Sequence, residues 1–284
     1  DRPMSERLEA VAVAWDVLLQ ENAFTLQDCM GTAFALPFLV DAKRSRVLGE
    51  FGKFPGAAEI DFEVWSRARL GLPVALENDG RMALLGEWTA GAARGKSDAV
   101  MVSLGTGIGC AAISGGRILR GANNRAATLF GHSPIAHERG AGRCGNIGCA
   151  EDLASTATLA ALARAMSDFS GSQLAGAARI DYETIFALSA EGDTCSQALL
   201  DQSIKVWAVL VENAVLAFDR EVVVLGGGIL RSRDIVLQAI EQHLNRHMPC
   251  LPLKTPVVAA ALGDDAALIG GEALFKQNHP ALFL

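Results

Sequence analysis

The chain has 284 residues, half of them hydrophobic and 20% charged, with 25 Lys and Arg against 32 Asp and Glu and a formal net charge of −7. At about 100–200 residues per domain this length predicts two domains, and the apolar fraction suffices for sizeable cores. The acidic balance excludes non-specific nucleic-acid binding as a main activity; without a run of about 18 apolar residues or a signal-peptide pattern, the expectation is a cytoplasmic protein handling small ligands away from membranes.

From the start, Ser5 to Asn22 has helical period, with Leu8, Val11, Ala12, Trp15, Leu18 and Leu19 on one face, Ser5 as N-cap and a sheet as its support. Strands are expected over Cys29 to Leu36 and around Val47, then a Gly/Pro loop over 52–56 and a short helix from Phe62 to Leu70. Trp15 and Trp65 read as core residues. The apolar run ending Pro73-Val74-Ala75 leads through Leu76-Glu77-Asn78-Asp79-Gly80 into a helix from Arg81 to Ala93. By spacing alone, Asn78-Asp79-Gly80 is a helix cap or turn; an acid there also lies at the carboxyl end of a strand, where open α/β sheets place their ligands.

The strand Ala99 to Leu104 runs into Gly105-Thr106-Gly107-Ile108-Gly109, a second apolar run from Cys110 to Ile113, and a Gly115-Gly116 hairpin turn. Small residues let backbone N–H groups and the Thr106 hydroxyl approach anionic oxygens, as in a phosphate cradle. No Gly-Lys-Ser/Thr follows, which excludes a Walker A loop, and a strand rather than a helix follows, which excludes a Rossmann fingerprint.

Residues 131–151 read GHSPIAHERGAGRCGNIGCAE. Cys144 and Cys149 bracket Gly145-Asn146-Ile147-Gly148, whose glycines permit the tight backbone of a metal knuckle, with His132 as a nitrogen donor. An arbitrary pair of thiols at this spacing is more often two core cysteines. Helices are expected over Ala154 to Ser167, Tyr182 to Ala190 and Ser196 to Phe218, the last with an apolar stripe through Val206, Val209, Leu210, Asn213 and Leu216. A β-branched strand, Glu221 to Leu225, then enters Gly226-Gly227-Gly228 and a helix with Asp234 near its start, and Val257 to Ala261, Gly263-Asp264-Asp265 and Ala266 to Phe275 form a last strand-turn-helix unit. Cys29, Cys110, Cys195 and Cys250 sit in apolar stretches and read as reduced core thiols, not a disulfide framework.

Taken together, in this order and spacing, the blocks resemble the ROK family of sugar kinases and sugar-responsive repressors, from about Cys29 to Phe275. The family's Gly-His and Cys-x-Cys-Gly-x-x-Gly-Cys-x-Glu are matched by Gly131-His132, Cys144-Gly145, Gly148-Cys149 and Glu151. The resemblance implies a two-domain α/β, ribonuclease H-like (actin-like ATPase) fold with sugar and ATP in the interdomain cleft. Its small domain would be residues 1–98, joined by the C-terminal helix in 266–284, and its large domain 99–265. Asp79 would be the general base: an alcohol is a poor nucleophile, and a positioned carboxylate can take its proton as the bond to phosphorus forms. Asn78, His132 and Glu151 would hold sugar hydroxyls, while Gly105, Thr106, Gly107, Gly226, Gly227 and Gly228 would hold MgATP. His132, Cys144 and Cys149 would bind a structural zinc.

Three departures qualify that picture. Gly142 stands where the family has its first cysteine, leaving His137, Glu138 or a water to complete the metal's ligands. Leu129 stands where a glutamate three residues before the histidine binds sugar hydroxyls, and Ala35-Leu36-Pro37 replaces a Pro-Gly, so the preferred sugar is expected to differ from that of a typical glucokinase. The family's opening Asp-x-Gly-Gly-Thr is absent from the sequence, which opens Asp1-Arg2-Pro3-Met4; ATP turnover then depends on another segment replacing that loop. The expected function is ATP-dependent phosphorylation of a hexose or N-acetylhexosamine by a homodimer. The alternative is a catalytically impaired sugar-binding relative acting as a sensor or transcriptional regulator, although no helix-turn-helix precedes Ser5.

Overall fold

The computed structural model describes residues 2–50, 52–248 and 254–283. Cys250, read from the sequence as a core thiol, lies outside them. The first helix, α1 (Met4–Glu21), begins after Pro3, so Ser5 lies inside the first turn and caps nothing; Met4 N donates to Pro55 O at 2.8 Å, which fixes the start instead. Only Met4, Leu8 and Ala12 are buried, one ridge at four-residue spacing, and Val11 and Leu18 face solvent at 42% and 52% exposure.

That ridge rests on a small sheet in which β1 (Thr32–Leu36) pairs in parallel with β4 (Val74–Asn78), from Thr32↔Val74 to Leu36↔Asn78. A short antiparallel hairpin, β2 (Val40–Asp41) with β3 (Arg46–Val47), precedes the helix α2 (Phe62–Leu70), whose start is capped by the Asp61 side chain. Met4, Leu8, Leu36, Phe38, Phe62 and Leu76 form the core here. Trp15 and Trp65 are half-buried at its margin rather than inside it.

After α3 (Asp79–Ala90) comes the large sheet, ordered β7-β6-β5-β8-β9 from β5 (Ala99–Leu104), β6 (Ile108–Ser114), β7 (Arg117–Ile118), β8 (Val222–Gly226) and β9 (Val257–Ala259). β5, β8 and β9 are parallel, and β6 and β7 add an antiparallel meander. Side-chain alternation sorts the two cores. Val100, Val102, Leu104, Val223 and Leu225 pack with α5 (Thr156–Arg164), α6 (Tyr182–Ala190), α7 (Thr194–Phe218) and α8 (Arg233–His247). Met101, Ile113, Val222 and Val224 pack on the other face with Met82 and Leu85 of α3 and Leu274 of α9 (Ala266–Asn278). Central strands covered on both faces explain the unbroken β-branched runs. On α7 the stripe is centred on Trp207, fully buried, and Leu210, while Leu216, expected on it, is 60% exposed on the helix's last turn.

Helices α3 and α9 lie backbone to backbone, because a Cβ on Gly86 would run into Ala266 O and one on Gly270 into Met82 O. α9 then continues onto β1, where a Cβ on Gly271 would come within 3.0 Å of Ala33 Cβ. The last helix thus ties the small sheet to one face of the large one. Among the described residues no helix is long and apolar enough to cross a membrane.

Candidate functional site

β5 and β8 are parallel neighbours with Ser103 opposite Gly226, so both glycine segments leave the sheet at the same carboxyl edge. Gly105 N donates to Gly107 O at 3.0 Å, closing a tight loop. Gly227 has φ of 95°, and a Cβ there would run into Leu104 O, so only glycine lets the β8 exit press against the β5 exit. A Cβ at Gly105 or Gly228 would meet nothing within 4 Å; the backbone at both positions faces open space. A 3-10 turn, Gly228–Ser232, leads from the glycines into α8, which starts at Arg233 with Asp234 in its first turn, as the sequence suggested.

Glu151 turns towards this edge. Its Oε2 accepts the Ile108 N–H at 2.9 Å, and a Cβ on Gly107 would meet the same oxygen at 2.6 Å. Thr156 N and Ala157 N donate to Gly105 O and Thr106 O at 3.0 and 3.2 Å, fastening the loop from the other side. Gly131 approaches β6 so closely that a Cβ would run into Ile108 O, which brings His132, in the 3-10 turn Phe130–His132, to the same region. His132 Nδ1 is buried and has no hydrogen-bond partner. Leu129 is 39% exposed beside it.

Asp79 and Asn78 stand at the end of β4, on the small sheet. The Asn78 side chain caps α3 by accepting the Arg81 N–H at 3.2 Å, and its amide donates to Phe38 O and Asp79 Oδ1, both at 3.0 Å. The turn foreseen from spacing is therefore present, and the same cap fixes the Asp79 carboxylate. Asp79 is exposed at the rim of the turn, yet the protein around it is enough for desolvation to push its carboxyl above the usual carboxylate range; the Gly80 N–H, the Lys53 charge and the Asn78 amide pull the other way.

A buried ionic group that the sequence reading missed joins the two halves of the site. Glu77 and Arg81 are both fully buried; Glu77 Oε1 lies 3.4 Å from Arg81 Nη1, and Oε2 lies 2.7 Å from Arg120 Nη2. Burial pulls the Arg81 guanidinium below its ordinary range, and the Glu77 charge holds it up. Arg81 Nη2 also donates to Asn124 O and Ala126 O at 3.1 Å, so the Asp79 turn is strapped to the segment leading to Gly131 and His132. The available signal was an acid and a base four residues apart flanking Asn-Asp-Gly.

The 131–151 loop folds into a knuckle. Gly142 N donates to Asn146 O and Gly145 N to Gly142 O, at 2.8 and 3.0 Å, and Asn146 Nδ2 donates to His132 O at 2.8 Å. His132, Cys144 and Cys149 bring one donor atom each within 4.8 Å of one another, and the two sulfurs are 3.5 Å apart. His137 and Glu138 are exposed and do not belong to this group, so the expectation that either completes it is not supported. Burial pushes the Cys149 thiol up to about 12; a soft divalent cation reverses that tendency by binding the thiolate. The donor types and the orphaned ring nitrogen fit a zinc ion. Cys110 and Cys195 are buried free thiols as expected, and Cys29 is only half-buried.

The ROK family profile matches residues 2–278. A glucokinase from Halalkalibacterium halodurans is 32% identical over 74% of this chain, and the match spans 66% of that enzyme. Among solved structures, a ROK hexokinase from Thermus thermophilus superposes with a TM-score of 0.77 at 28% identity, covering 97% of this chain and 88% of its own. A ROK family glucokinase from Streptomyces griseus, solved with glucose and AMPPNP, gives 0.76 at 26% identity over 95% and 88%.

Proposed function

The chain belongs to the ROK family, with the mixed α/β, actin-like ATPase fold of its sugar kinases, and from this premise we propose that it moves the γ-phosphoryl group of ATP to a hydroxyl of a hexose or N-acetylhexosamine. The observation that carries this reading is the Asp79 turn. A carboxylate held by the Asn78 amide and the Gly80 N–H, at 3.0 and 2.8 Å, sits at a strand's carboxyl end and is strapped through Arg81 to the loop that carries His132. Its raised pKa makes it a better proton acceptor than a free carboxylate.

In this reading Asp79 takes the proton of the attacking hydroxyl as its oxygen bonds to the γ-phosphorus, and the bond to the ADP oxygen breaks. Most of the catalysis is positioning. The glycine loops Gly105-Thr106-Gly107 and Gly226-Gly227-Gly228 offer backbone N–H groups to the phosphates and a flat wall to the nucleotide, which arrives as its magnesium complex. Asn78 orients the base, since its amide is already engaged by Phe38 O, Asp79 and the Arg81 N–H. His132 and Glu151 face the sugar, and Glu151 also braces the phosphate loop through the Ile108 N–H. Leu129 in place of a hydroxyl-binding carboxylate sets the preference among sugars. Residues 1–98 with α9, and 99–265, act as two domains that close on the substrates. His132, Cys144 and Cys149 hold a structural zinc that fixes the knuckle.

The test is an ADP-release assay with MgATP against glucose, mannose, allose, fructose and their N-acetylamino forms, beside sugar binding by calorimetry. Asp79→Asn should lower turnover by about 10²- to 10⁴-fold while sugar affinity stays within a few-fold. A fully active Asp79→Asn would remove Asp79 from the base role.

A further inference from the structure

We propose that the Asp152 carboxylate is the fourth ligand of the metal knuckle, closing a His-Cys-Cys-Asp site formed by His132, Cys144, Cys149 and Asp152. Asp152 Oδ2 lies 3.3 Å from Cys149 Sγ and 4.0 Å from Cys144 Sγ, and the sulfurs are 3.5 Å apart. With Zn–S bonds of about 2.3 Å and Zn–O of about 2.1 Å, a tetrahedron requires about 3.8 Å between sulfurs and about 3.6 Å from sulfur to oxygen. All three observed separations fall within about half an ångström of those values, so one ion can touch these three atoms with small side-chain adjustments. The His132 ring nitrogen lies within 4.8 Å of both sulfurs, and Asp152 stands outside that three-donor group, so closing the site requires the carboxylate and the imidazole to rotate towards each other.

The local backbone explains why the carboxylate is there. Cys149 occupies the N-cap position of α4 (Ala150–Ala154) and Asp152 is three residues on, so both side chains point off one side of the first turn. The other carboxylate oxygen, Oδ1, is 3.6 Å from Arg143 Nε, which leaves Oδ2 to the thiols as a single donor. A Cβ placed on Gly142 would run directly into that oxygen. The carboxylate therefore fills the space that a side chain at 142 would enter, and the ligand that the sequence pattern lacks at 142 is supplied from α4. Four protein donors leave no open position, which makes the ion structural and keeps it out of phosphoryl transfer.

This rests on the reading of His132, Cys144 and Cys149 as metal ligands, and the experiment separates the two. Zinc content and affinity are measured on the full chain by competition with a chromophoric chelator, and cobalt(II) is substituted for the sulfur-to-metal charge-transfer band. The wild type should hold one zinc, and Cys149→Ser should lose it. Asp152→Ala should weaken zinc binding by more than the roughly 10–100-fold that losing an outer-shell partner costs, and Asp152→Cys should restore binding and raise the cobalt charge-transfer intensity by about half, from two sulfurs to three. Zinc affinity in Asp152→Ala within twofold of wild type, or an Asp152→Cys spectrum unchanged in intensity, would overturn the fourth-ligand assignment while leaving the other three donors standing. A wild type that binds no zinc would overturn both. Should Asp152→Ala not fold, the Asp152→Cys spectrum decides alone.

Discussion

Replacing Glu77 by leucine should be among the most damaging single changes in the chain, and the structure says why. Glu77 and Arg81 are both 0% exposed, whereas Arg120 keeps 29% of its side chain in water. Without the carboxylate Arg120 can swing outward, but Arg81 keeps only the carbonyls of Asn124 and Ala126, and its Nε already lacks a partner. An uncompensated buried charge of this kind costs about 3–5 kcal/mol. At about 2–4 °C per kcal/mol for chains of roughly this size, the melting temperature should fall by roughly 6–20 °C.

The assay is thermal and urea unfolding of Glu77→Leu, Arg81→Met and the double variant. If the cost is the stranded charge, the double variant should recover most of the loss, giving a coupling of at least about 2 kcal/mol. A single variant that loses less than about 1 kcal/mol, or a double variant whose losses simply add, would refute the account. Substrate binding supplies a second readout. Because Arg81 straps the Asp79 turn to the segment before His132, Glu77→Leu should raise the sugar KM even at temperatures where the variant is fully folded.

Three further outcomes are expected. The Asp79 carboxyl is raised above its unfolded value near about 3.9, so folding takes up its proton: the stability it contributes is fully present below the unfolded pKa and is lost as pH rises through the folded one. Asp79→Asn should therefore be slightly more stable than wild type at neutral pH, and kcat/KM of the wild type should fall on its acid limb at a pH above that of an ordinary carboxylate; equal stability of the two proteins across that limb would contradict the shift. Gly270→Ala places a Cβ into Met82 O and should force α9 off α3, costing on the order of 1–3 kcal/mol as overpacking does, measured by urea unfolding. Glu151→Ala removes the acceptor of the Ile108 N–H and should raise the KM for both ATP and sugar, whereas a change confined to the sugar KM would assign Glu151 to the sugar alone.

Much of the fold was legible because its signals are local. The helix Phe62–Leu70 and the helix Tyr182–Ala190 have the bounds expected from their period, and β5 those expected from its apolar run. The Gly115-Gly116 turn needed only its two glycines, which have φ of 54° and 72°. What escaped depends on where an element lies against its neighbours. Period alone put Val11 and Leu18 on the buried face of α1 and Leu216 on that of α7, but burial follows the line along which a helix meets its sheet, and these residues fall outside it. The Ser5 cap failed because Pro55 O, distant in sequence, already takes the first N–H.

The site shows the same division more sharply. Asp79, the two glycine segments and the His132, Cys144 and Cys149 donors could be put forward because each sits in a short motif that the family resemblance singles out; by spacing alone Asn78-Asp79-Gly80 is a helix cap. The Glu77–Arg120 pair could not, because an ion pair across 43 residues has no local spacing to read, whereas Glu77 and Arg81, four residues apart, carried a local signal that went unread. Asp152 is the more instructive omission. A motif is checked position by position, so glycine at 142 reads as a lost ligand; a coordination shell is a set of points in space, and any donor that reaches the right point fills it. The overlap between a Cβ at 142 and the Asp152 oxygen links these two positions: a bulkier side chain at 142 requires the carboxylate at 152 to rotate away from the thiols. A cysteine introduced at 142 should therefore turn the Asp152 carboxylate away from the sulfurs, so that zinc binding no longer depends on residue 152, which makes the pair, rather than either residue, the unit in which this loop keeps its chemistry.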